Sequence, residues 1–169
     1  MKVIKLINID SDNLEIYKKD ILLNKSLINI SKNNMYEILF NTTNFDYLLN
    51  IVLENIKKQT NDNFDVFIKN MWGYIRNDDD LIKFDVPIKD ELSIKPKYSF
   101  VYVIDSEETS IYIKNEIGVV EKFNLKIGEL LIFETNNFIE EICNDKHRII
   151  LTGSITNDLT EYEIEKKLL

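Results

Sequence analysis

The chain has 169 residues, 44% of them hydrophobic and 30% charged, with four glycines and two prolines. That length suits one folded domain, and the composition is too apolar for intrinsic disorder and too punctuated for a coiled coil. A formal charge of −8 with scattered basic residues speaks against a nucleic-acid partner, and no apolar run approaches the ~20 residues of a membrane span.

In chain order, Val3 to Ile9 is an apolar-rich run that predicts a first strand. Asp12 with Glu15 three residues on resembles a capping box, and Leu14, Tyr17, Ile21 and Leu22 recur at helical spacing behind it. A second helix is predicted over Thr43 to Lys58. Phe45, Leu48, Leu49, Val52, Leu53 and Ile56 form its apolar stripe, Thr43 or Asn44 caps it, and Lys57 and Lys58 suit its C-terminal dipole. Thr60 to Asn63 reads as a loop. Beyond it the period shortens to that of strands: Phe64 to Tyr74, Ser99 to Ile104, Ser110 to Lys114, Val119 to Asn124, Leu130 to Phe133, Phe138 to Cys143 and Ile149 to Ile155. Turns are expected at Asp105 to Glu108, Asn115 to Gly118, Lys126 to Gly128 and Asn144 to Lys146. The expected fold is α+β in a single domain, with a mostly helical part over 1–62, an antiparallel sandwich or jelly-roll core over 63–155 and a tail or short helix over 156–169.

Alanine is absent, and only Arg76 and Arg148 among the 21 basic residues are arginines. An AT-rich genome writes such a bias, so single Asn or Lys residues carry little information and each Arg, Gly or Trp carries more. Cys143 is the lone cysteine and His147 the lone histidine, which rules out an internal disulfide and a Cys/His zinc cluster and suits a reducing compartment. On a regular strand Cys143 and His147 would lie about 13 Å apart, so Cys143 is read as a structural thiol and His147 as a strand-end residue. Asp78, Asp79 and Asp80 lack the calcium-loop spacing, with Lys89 where the bidentate Glu would fall after Asp78, and read as a solvated turn. Trp72 with Tyr74 and Phe100 with Tyr102 are spaced as core pairs. Gly118, Gly128 and Gly153 stand singly, as turn or close-packing glycines rather than a phosphate loop.

Three stretches stand in a suggestive order: Trp72-Gly73-Tyr74-Ile75 with an Asp-rich turn behind it, Tyr98-Ser99-Phe100-Val101-Tyr102-Val103, and Gly128-Glu129-Leu130-Leu131-Ile132-Phe133 followed after a gap by Arg148-Ile149-Ile150-Leu151-Thr152-Gly153. Together they resemble the double-stranded β-helix core of the iron(II)/2-oxoglutarate-dependent oxygenases, in particular small prolyl-hydroxylase-like proteins carried by phages. The resemblance covers about half of the chain. It implies a phage-encoded protein and, for a catalytic member, iron held by two His and one carboxylate. Counting from Trp72 puts the first ligand near Asp85 and the second near Pro87, and counting from Phe133 puts the distal one at Ile139 or Glu140. None of these is an imidazole, and proline has no side-chain ligand atom. Arg148 matches the family's arginine that pairs with a carboxylate of 2-oxoglutarate, a role suited to its bidentate fork.

The resulting expectation is a non-catalytic member of the fold, a binding or structural module without iron or 2-oxoglutarate and with Arg148 as its one candidate cofactor contact. Its expected setting is the cytoplasm of a host cell, or a virion, with a protein partner docked on sandwich loops or an open strand; a homo-oligomer is left open, nucleic acid and membrane are not expected. Two alternatives stand beside it. One is an oxygenase with Fe(II) and 2-oxoglutarate in which Asp85, Glu140 and His147 hold the metal and Arg148 the cosubstrate. The other is a metal-free, cupin-like binder of a small molecule.

Overall fold

The computed structural model describes residues 3–27, 35–37, 44–60, 67–76, 97–106, 109–114, 117–134, 138–142 and 148–156. These form strands β1 (Val3–Leu6), β2 (Met35–Glu37), β3 (Phe67–Arg76), β4 (Tyr98–Asp105), β5 (Thr109–Lys114), β6 (Val120–Leu125), β7 (Leu130–Glu134), β8 (Phe138–Ile142) and β9 (Arg148–Thr156), and helices α1 (Leu14–Leu27) and α2 (Asp46–Thr60). Among the described residues the strands make a six-stranded sheet in the order β1-β7-β4-β9-β3-β2 and a three-stranded sheet in the order β6-β5-β8, antiparallel throughout.

Strand alternation sorts the apolar residues into two cores. One lies between the helices and the large sheet. Tyr17 and Ile21 of α1 and Leu48, Val52 and Ile56 of α2 meet Phe100, Tyr102 and Ile104 of β4, Leu130 and Ile132 of β7, and Ile149, Leu151 and Ile155 of β9. The other lies between the sheets, where Val101, Val103, Leu131, Phe133 and Ile150 face Ile111, Ile113 and Leu125. Both faces of β4, β7 and β9 are therefore covered, which explains why their sequences are near-continuous apolar runs rather than alternating ones. The molecule is layered as helices, large sheet and small sheet.

The apolar stripe of α2 is buried as its spacing predicts, with Leu53 half-covered. Asn44, just before α2, also reaches the other helix: its backbone N–H and side-chain amide both donate to Asp20 Oδ2, at 3.0 and 3.1 Å, while Thr43 lies outside the described residues. The first strand stops at Leu6 rather than Ile9, because Asn8 and Asp10 take positive φ angles of 53° and 51°. Helix α1 starts at Leu14 behind a 3₁₀ turn over Ser11–Asn13, and Asp10 organises it rather than Asp12. The Asp10 carboxylate accepts from Asn13 Nδ2 at 2.8 Å and from the Tyr17 hydroxyl. Leu22, placed by spacing on the apolar face, is exposed. Strand β2, with three residues, has no counterpart in the sequence-based expectation; it pairs with β3, Tyr36 opposite Gly73. Residues 61–66, 107–108, 115–116, 143–147 and 157–169 lie outside the described part, and with them most of the predicted loops and the C-terminal tail.

Candidate functional site

The site is built on β9, the second of the two strands at the middle of the large sheet. Its odd-numbered residues Ile149, Leu151 and Ile155 pack under the helices, and Ile150 packs against the small sheet. Arg148, Thr152 and Ser154 share the parity of Ile150 and so lie on the face between the sheets. Arg148 is wholly buried there. A guanidinium without water around it needs an anion or hydrogen-bond acceptors, since burying a charge otherwise costs several kcal/mol. Its Nε is a buried donor that makes no hydrogen bond, while the residue itself is engaged.

The same face carries a second polar zone at its far end. Ser99 of β4 stands opposite Ser154, and Val101 opposite Thr152. Thr152 Oγ1 donates to the Phe100 carbonyl at 2.9 Å, whereas the buried Ser99 Oγ makes no hydrogen bond. Six residues of strand separate Arg148 from Ser154, roughly 20 Å at ~3.3 Å per residue. Arg148 and the Ser99–Ser154 pair are therefore separate, with the apolar pair Val103 and Ile150 and the row of Leu131, Val101 and Thr152 between them. The hydroxyl zone was not legible as such, because a Ser or Thr in an apolar run reads the same whichever face it occupies.

At the Arg148 end, β3 lies alongside β9 with Arg76 directly opposite Arg148, Tyr74 opposite Ile150 and Trp72 opposite Thr152. On the other flank the ladder of β4 is irregular between Val103 and Asp105, and Asp105 stands opposite Ile149. Lys18 of α1 closes on the Asp105 carboxylate at 2.5 Å. That hydrogen bond, outweighing burial, raises the Lys18 ammonium above its ordinary range.

Of the other residues singled out by sequence, Asp85, Pro87, Cys143 and His147 lie outside the described part, as do Asp78, Asp79, Asp80 and Lys89. Ile139 and Glu140 are in β8, at the register positions of Ile113 and Tyr112 respectively. Ile113 is in the core between the sheets and Tyr112 is half-buried. The structure thus brings Arg148 to the interior and sets Arg76 against it, a juxtaposition invisible in sequence because 71 residues of chain lie between them.

Among the described residues no three His, Cys, Asp or Glu side chains gather as a metal site would need. The donor chemistry of the whole sequence bears on the question more directly. A centre of two imidazoles and one carboxylate cannot be assembled from a chain with one histidine. The residues present therefore do not fit that iron centre.

No family model and no curated protein matches the chain. Solved structures do. The viral collagen prolyl hydroxylase of Paramecium Bursaria Chlorella virus-1 superposes with a TM-score of 0.67 at 11% identity, over 92% of this chain and 89% of that one. A 2OG-Fe(II) oxygenase family oxidoreductase from Burkholderia pseudomallei gives 0.69 at 12%, over 92% and 86%. HygX from Streptomyces hygroscopicus, solved with nickel and 2-oxoglutarate bound, gives 0.66 at 9%, over 93% and 83%. The likeness spans the helices as well as the sheets, well beyond the segment that carries the sequence resemblance. Among the described residues no helix is long and apolar enough to cross a membrane. With this layering of two helices on paired antiparallel sheets, and with these superpositions, the chain has the fold of the 2-oxoglutarate- and iron(II)-dependent oxygenases.

Proposed function

We propose that this protein is a non-catalytic member of that fold, a binding module that holds a carboxylate-bearing small molecule at Arg148 without iron. The observation that carries the proposal is the wholly buried Arg148 on the face between the sheets, in a chain whose single histidine cannot supply the metal centre. The strand orders β3-β9-β4-β7 and β8-β5-β6 within the two sheets support a double-stranded β-helix with its ligand at one end of the barrel. Arg148 would grip a carboxylate through two parallel N–H···O bonds, and the dry surroundings strengthen each of them.

The test is a thermal-shift titration of metal-stripped protein with 2-oxoglutarate, with and without Mn(II), on wild type and Arg148→Gln. A ligand that binds only the folded state raises the melting temperature. The expected result is a saturable rise with 2-oxoglutarate alone, lost in the variant and not enlarged by Mn(II). A rise that requires Mn(II), or succinate and carbon dioxide formed from 2-oxoglutarate on adding Fe(II) and oxygen, overturns the non-catalytic reading. No rise at millimolar 2-oxoglutarate overturns the ligand assignment.

A further inference from the structure

The turn from β5 into β6, and the start of β6 itself, carry apolar side chains into water. Ile117, Val119 and Val120 are 85%, 49% and 52% exposed, a concentration of the kind that marks an interaction site. β6 is also the outer strand of the small sheet: among the described residues only β5 pairs with it. Lys5 Nζ reaches the Asn124 carbonyl at 2.6 Å from beyond that outer side. The main chain of every second residue of a strand faces the same way, so Lys122 and Val120 also turn their N–H and C=O groups outward. Open edges are ordinarily blunted by charge. Here the one cation of that row, Lys122, leans over the Tyr112 ring of β5, 5.7 Å from its centroid, across its own sheet and away from the edge.

We infer that β6 is a dimerisation edge, which pairs antiparallel with β6 of a second copy of this chain about a twofold axis at Val120. Charge selects the occupant and the register. A twofold axis in a strand pair sets one residue against itself. An axis at Glu121 opposes two carboxylates and an axis at Lys122 opposes two ammonium groups, each a repulsive pair. An axis at Phe123 lays the second strand over the Asn124 carbonyl, which Lys5 already holds. An axis at Val120 has neither defect. The two Val120 residues then exchange main-chain hydrogen bonds, Glu121 stands opposite Val119 of the second copy and Lys122 opposite Gly118, and no like charges meet. The same axis gathers the exposed Ile117, Val119 and Val120 of both copies. Glu121 and Lys122 leave the strand locally neutral, so the charge of −8 on each chain acts over distances that salt screens. The small sheets then join into one, in the order β8-β5-β6 followed by β6-β5-β8 of the second copy. This surface is independent of the ligand proposed at Arg148.

The experiment is sedimentation equilibrium of the full chain from micromolar to millimolar concentration, for wild type and Val120→Lys. Wild type is expected to rise from the mass of one chain to that of two. Val120→Lys, which sets two ammonium groups against each other at the axis, should weaken dimerisation about tenfold or more. Its urea midpoint, measured at a dilution where chains are single, should match that of wild type because the side chain is half exposed. If that midpoint falls, Ile117→Glu, at the most exposed of the three positions, is read in its place and must weaken dimerisation by the same margin. The register is tested in a Cys143→Ser background by oxidation with copper phenanthroline of Val120→Cys, Glu121→Cys and Lys122→Cys. Val120→Cys should link two chains fastest, since directly opposed strand residues meet the spacing a disulfide needs.

A wild type that stays a single chain at millimolar concentration overturns the second copy as the occupant of this edge. A dimer that both charged variants leave intact overturns the assignment to β6. Faster linking at position 121 or 122 than at position 120 overturns the axis.

Discussion

Tyr17 and Tyr102 tie α1 and the segment before it to the large sheet. The Tyr17 hydroxyl donates to Asp10, and that of Tyr102 to the Ile9 carbonyl at 2.5 Å. Burial, and for Tyr17 also its bond to Asp10, pushes both phenols well above their ordinary range. A group whose pKa is raised by folding adds stability below its unfolded value, near 10, and that stability is lost as pH rises beyond it. Tyr17→Phe is therefore expected to cost about 1–2 kcal/mol at neutral pH and to flatten the alkaline limb of a stability–pH curve measured by urea unfolding. The opposite sign holds at Glu129. Burial pushes its carboxyl up, but Lys5 at 2.8 Å and the Lys126 backbone N–H outweigh it, and the net shift is downward. The stability it gives is present above about pH 4.3 and lost as pH falls through the lower folded value. Glu129→Gln should cost about 1 kcal/mol at pH 7 and nothing at pH 2, by the same urea measurement. Neither tyrosine was legible as a partner of the 8–10 segment, since its bonds depend on the left-handed backbone at Asn8 and Asp10.

Among the elements, the turn between β6 and β7 is the most sharply specified. Lys126 to Gly128 is read as a turn from sequence, and Gly128 has φ +77° there. Its N–H donates to the Val103 carbonyl at 2.9 Å, and its carbonyl accepts from Ile9 N–H at 2.8 Å. An added Cβ would meet nothing nearer than the Ile9 carbonyl at 3.9 Å, so the cost of Gly128→Ala is conformational rather than steric. It should lower stability by about 1–2 kcal/mol, read as a shift in the urea midpoint with an unchanged slope. α2 and the strands β4, β7 and β9 were readable because each is long enough to show a period or an unbroken apolar run. β2 was not, because three residues show neither. The start of α1 was misplaced because Asp12 carries the capping signal while Asp10 carries the geometry.

For the whole molecule, the two cores are separate bodies of side chains that share only the backbone of the large sheet. Ile113→Ala, in the core between the sheets, should cost about 2–5 kcal/mol, and hydrogen exchange should quicken across β5, β6 and β8 more than in the helices. The fold was legible from the order of three weak motifs, because a layered sheet architecture demands its apolar runs in a fixed sequence. The site was legible only in part. Composition drew attention to Arg148, and strand parity then placed it inside. The opposition of Arg76 to it is a property of strand pairing, which residue spacing does not encode. Of the ligand positions that counting assigned, Ile139 and Glu140 take neighbouring places in β8, on opposite faces of the register, and spacing counted across a turn does not fix such a choice.

The pairing of β1 with β7 also covers an apolar edge. Val3, Ile4, Lys5 and Leu6 lie along Phe133, Ile132, Leu131 and Leu130, four consecutive buried apolar residues on a strand that has β4 on its other side. The Lys5 ammonium also reaches the Asn124 carbonyl of β6 at 2.6 Å, fastening the cover to the small sheet. Peeling β1 away would bare an apolar hydrogen-bonding edge of the kind that recruits other chains. A chain shortened by its first six residues should therefore sediment as aggregate at concentrations where the full chain stays in solution. β1 acts as a built-in guard against self-assembly, and its loss would turn a covered edge into a template for other chains.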